Sequence, residues 1–217
     1  MGEVIERIFI SKDWITIILL IVITLLIFNK IRNPLKFTKL QTLLYSSNYF
    51  GSYSKSSPML VSVFNAIFIV IFSIVISLLL FVAVIQYGLA NNSDIILFFK
   101  ILIYVFSYII VRFVVGFLLA ILFEIEKEQQ YFSFLKLSYL SSFSILILPF
   151  LIVNFYINSP FFSQILIIIA GLLLFYFFVL QIKNNQKLIF SKIFYFILYL
   201  CALEIAPYMI VYKLLIV

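Results

Sequence analysis

This chain of 217 residues is 66% hydrophobic and only 11% charged, with a mean hydropathy of +1.27. A water-soluble domain of this length needs a far larger charged surface, so its solvent is lipid, and the continuous apolar runs require helices rather than an alternating barrel. The net charge of +7 lies at the ends of those runs, with no basic helix or aromatic platform for nucleic acid, while the lack of histidine and the single Cys201 leave no metal-ligand set, no cofactor motif and no intrachain disulfide.

Six stretches qualify as membrane spans, at about 14–29, 59–86, 96–123, 137–158, 165–182 and 193–216, within one integral membrane domain covering 1–217. The predicted fold is an all-α polytopic bundle with a short cytoplasmic interfacial amphipathic helix. The leader before the first span carries Glu3, Glu6 and Asp13 against Arg7 and Lys12, and no small-residue cleavage site follows. That segment is expected to stay as an anchor rather than to leave as a signal peptide.

After the first span, NPLKFTKLQTLLY begins with Asn33 as a candidate N-cap and Pro34 at the first helical position. Phe37, Leu40, Leu43 and Leu44 fall on one arc of this short helix, flanked by Lys36 and Lys39. Two readings stay open. The arc can lie on the inner leaflet with its lysines at anionic headgroups, or it can pack on the protein itself. SSNYFGSYSKSSP then reads as a polar linker. Between spans three and four, FEIEKEQQYFSFLK is expected to continue the helix and then form a second interfacial segment.

The basic residues set the orientation. Ten (Lys30, Arg32, Lys36, Lys39, Lys55, Lys127, Lys136, Lys183, Lys187 and Lys192) lie on one side of the map, against Arg7, Lys12 and Lys213 on the other. The positive-inside rule then places the first group in the cytoplasm and both termini in the periplasm.

Within the spans, Asn65, Ser73, Ser77, Gly116, Gly171 and Asn154 are expected at helix contacts, and Trp14 at an interface. Pro149 and Pro207 are expected to break their helices. Lys100 lies near a helix end, where it can snorkel outwards. Arg112 and Glu204 are deeper, each about 17 Å from the same side of the bilayer at 1.5 Å per residue. Opposite charges at matching depth predict an intramembrane ion pair. No nucleophile or second carboxylate accompanies them, so a structural role is preferred to catalysis, and the chain is not expected to be an enzyme.

The closing segment FYFILYLCALEIAPYMIVYKLL, with its Glu204, Pro207 and Lys213, resembles the C-terminal signature of a Bacteroidetes family of integral membrane proteins that carries a domain-of-unknown-function label. The likeness spans most of the chain. More weakly, FSFLKLSYLSSFSILILPFLIV is similar to Yip1-like membrane proteins, with Tyr139 and Pro149 in the matching places, but without the Yip1 cytoplasmic N-terminal domain. The first resemblance implies a bacterial inner membrane. The expected function is that of a non-enzymatic accessory or assembly subunit of a larger envelope complex, with other membrane proteins as partners. Protein export is the process the apparent lineage suggests. The alternative is a small transporter or lipid-handling protein that uses the Arg112–Glu204 pair.

Overall fold

A computed structural model describes residues 13–41, 43, 62–88, 94–122, 126–157 and 159–184. They form helices α1 (Asp13–Arg32), α2 (Pro34–Gln41), α3 (Val63–Gln86), α4 (Ile95–Leu122), α5 (Glu126–Ile157) and α6 (Pro160–Asn184). All of these except α2 are long and apolar enough to cross a membrane, which gives five such helices among the described residues and makes this a multi-pass architecture. The expected sixth span, 193–216, lies outside the described residues, as does Pro207.

Local chemistry explains where the helices start and stop. α3 begins at Val63 rather than near 59 because Ser62 caps it, its Oγ accepting the Asn65 N–H at 3.2 Å. It ends where Gly88 takes φ +72° and donates its N–H to Ile85 O at 2.9 Å, a left-handed turn that suits glycine. α6 opens on Pro160, five residues before the expected 165, because proline is preset for the first helical position. Pro34 likewise opens α2, directly after α1.

Two sequence expectations change. The charged stretch from Glu126 to Lys136 forms no separate interfacial segment. It runs straight into the apolar stretch as one 32-residue helix, since its Glu, Lys and Gln residues are good helix formers. Pro149 lies inside that helix and does not break it. The missing N–H frees the Ile145 carbonyl only, and Pro149 itself is exposed.

α3 is the hub, in contact with α1, α4, α5 and α6. Its buried Phe64, Phe68, Ile71, Val75, Leu78 and Val82 recur every three or four residues and form one inward stripe. α5 answers with Leu135, Tyr139, Phe143, Ile147, Leu151 and Phe155, a row at strict four-residue spacing. Over their most apolar stretches, half of α3 and of α5 is buried, against 22% of α1, 17% of α6 and 11% of α4.

Rings and amides tie the layers together. Trp14 packs between Phe81 and Phe98, with ring centroids 5.5 and 5.3 Å away, and so joins α1, α3 and α4 at one end of the bundle. Tyr139 meets Phe177 at 5.8 Å across α5 and α6. At the turn between those helices the Ser163 hydroxyl donates to Asn154 Oδ1 at 2.9 Å.

Candidate functional site

Polar groups inside an apolar bundle are the places to look for chemistry, because each must be satisfied away from water. The densest set is on α3 and α5. Ser73 and Ser77 on α3, and Ser138, Ser141, Ser142 and Ser144 on α5, are all buried. Ser77 Oγ donates to Ser73 O at 2.7 Å, Ser73 Oγ to Ile69 O at 2.8 Å, and Ser138, Ser141 and Ser144 to the carbonyls four residues back at 2.8, 2.7 and 3.0 Å. These five hydroxyls are therefore consumed within their own helices. What these serines provide is small side chains, the kind that lets membrane helices approach closely.

Arg112 lies about 15 Å from the Leu122 end of α4, at 1.5 Å per residue. It is half-buried, on the arc shared with Tyr108 and Gly116. Its expected partner Glu204 is outside the described residues. A groove of about 430 Å³ opens between α3 and α4, lined by Val70, Ser73, Ile74, Leu102, Ile103, Phe106, Ser107, Ile110 and Val111. Ile103 and Arg112 are nine residues apart, two and a half helical turns, so Arg112 is on the opposite flank of α4 from this groove.

α2 caps one mouth of the bundle. Phe37 and Leu40 are buried in the core, Phe37 stacking on Phe68 at 6.2 Å, and Leu43 joins them. For Phe37 and Leu40 the arc thus packs on the protein, the second of the two readings. Lys36 is half-buried, and Leu44 and the Lys39 side chain lie outside the described set. Beneath α2, Asn29 is fully buried and its Nδ2 donates to Phe64 O at 3.1 Å, while its Oδ1 has no partner among the described residues.

Sequence reading singled out neither Asn29 nor the serines of α5. The signal was present in SYLSSFS, where Ser138, Ser141 and Ser142 recur three and four residues apart, the spacing of one helix face. Among the described residues no group of three His, Cys, Asp or Glu side chains could hold a metal ion.

A family model described as "Domain of unknown function (DUF4271)" matches residues 15–215. The chain belongs to the DUF4271 family. The match runs through the segment that carries Glu204, Pro207 and Lys213. No curated protein and no solved structure matches this DUF4271 chain.

Proposed function

We propose that this DUF4271 protein is a non-enzymatic accessory or assembly subunit of a larger complex in a bacterial inner membrane, acting in protein export. Both termini face the periplasm, and the ends bearing Lys30, Arg32 and Lys183 face the cytoplasm. Arg112 and Glu204 act as a structural pair that holds the last span to α4.

One observation carries the reading. Among the described residues the outer side of α6 is sparsely covered, and Gly171 lies exposed on it, with none of them within 4 Å of the position a Cβ would take. Glycine in a membrane helix lets a second backbone come close, and here its neighbours are the exposed Ile168, Leu172 and Phe175. Such a face suits a helix of another membrane protein.

The test is a mild-detergent purification with a photo-crosslinker at Leu172, followed by identification of the attached polypeptides. Gly171→Leu, which meets open space, is expected to leave the chain folded and to abolish the crosslinks. Unchanged partners in Gly171→Leu, or no polypeptide attached at Leu172, would overturn the reading.

A further inference from the structure

We propose that the groove between α3 and α4 is a binding site for one acyl chain of an anionic phospholipid whose headgroup phosphate is held by Lys100. This stands apart from the partner face on α6. Four features of the molecule point to that occupant.

The first is depth. On α4 the groove runs from Leu102 to Val111, nine residues or about 14 Å, which matches the roughly 15 Å of hydrocarbon in one leaflet. α4 has 28 residues, about 42 Å, so it exceeds a hydrocarbon core of about 30 Å by some 6 Å at each end. The groove therefore begins just under the headgroups on the Trp14 side and ends near the midplane.

The second is charge. Lys100 is exposed, and Ile103 and Ser107 follow it at three and seven residues, on the same flank of the helix. From that flank its side chain can reach the mouth of the groove, at the level where a phosphate lies. Asp94, the carboxylate nearest in sequence, is about 9 Å higher along the axis and 120° round it, so it does not oppose this contact.

The third is the lining. All the lining residues but Ser73 and Ser107 are branched or aromatic, whereas helices that pack on one another in membranes favour small residues. A bulky, open-sided wall suits a flexible chain better than a second helix. The fourth is polar demand. The Ser73 hydroxyl is already given to Ile69 O, so an apolar occupant strands no donor there. A gap of 430 Å³ facing hydrocarbon fills rather than stays empty, because an unfilled void forfeits its dispersion contacts.

The experiment reconstitutes the whole protein in nanodiscs of phosphatidylcholine containing a small fraction of phosphatidylglycerol or phosphatidylcholine with a diazirine in the acyl chain. Photolabel on the 102–111 peptide is then mapped by mass spectrometry. Phosphatidylglycerol is expected to label several-fold more than phosphatidylcholine. Lys100→Gln should cut that preference roughly fivefold, the factor for one interfacial charge. Ser107→Phe, which fills the groove from an exposed position, should remove the label for both lipids. Millimolar inorganic phosphate should leave the labelling unchanged, because the chain and not the phosphate alone is held. Circular dichroism on both variants checks that the helices persist. Equal labelling by the two lipids, no response to Lys100→Gln or to Ser107→Phe, or displacement by phosphate would overturn the proposal. So would a polypeptide, from a partner or a second copy, crosslinked at Ser107.

Discussion

Replacing Ser77 distinguishes a packing seam from a chemical one. The residue is fully buried on α3, and its hydroxyl donates to Ser73 O at 2.7 Å within its own helix. Ser77→Ala removes the donor and leaves no orphan, because Ser73 O keeps the Ser77 backbone N–H as its helical partner. The loss should match the average side-chain hydrogen bond in a membrane bundle, about 0.6 kcal/mol. Ser77→Leu instead adds two heavy atoms at a fully buried position, and overpacking of that kind costs about 1–3 kcal/mol. Unfolding of the purified protein in mixed micelles, followed by circular dichroism as the SDS fraction rises, should therefore rank wild type and Ala close together and Leu clearly below. If Ala lost more than Leu, the hydroxyl would be acting on something other than its own helix, and the packing account would be wrong.

In a double-mutant cycle on the proposed pair, Arg112→Gln or Glu204→Gln alone should each lower the folded yield by an amount of order 3–5 kcal/mol, and the double change should recover part of it, since a lone buried charge is worse than none. Simply additive yields would mean that the two residues do not meet. Asn29→Asp should destabilise far more than Asn29→Leu in the same SDS titration, because it buries a carboxylate at a fully covered position that now faces the Phe64 carbonyl; Asn29→Leu should cost about 1 kcal/mol for one hydrogen bond. Alkaline-phosphatase fusions should be active after residues 90 and 160 and inactive after 40 and 186; the reverse pattern would invert the proposed topology.

The described spans were legible because a helix crossing lipid must be continuously apolar, and nothing in the chain imitates that. Which face of each helix turns inward was not legible. In lipid the outer face is as apolar as the core, so Ile71 is buried while Ile17 is 59% exposed, and no contrast of composition separates them. Only polar residues break the symmetry. Arg112 was placed inward because a deep charge must face protein, and Lys100 outward because it can reach the headgroups. The apolar arc of α2 was equally plain, but periodicity says that an arc is covered and not by what, so the choice between leaflet and bundle waited for the stacking of Phe37 on Phe68. Pro149 misled because the rule for proline in a soluble helix is harsher than membrane helices obey.

The uninterrupted run of α5 has a mechanical consequence. Its 32 residues measure about 48 Å, against a hydrocarbon thickness of about 30 Å, and absorbing the whole excess by tilt would need about 50°, beyond the usual range of up to 40°. Part of the rod must therefore stand in water, and the charged Glu126 end is the part that can. A body that gripped this end would hold a stiff shaft whose middle bears Tyr139, Phe143 and the serines. Torque applied outside the bilayer would then arrive at the hub helix undiminished by any intervening hinge.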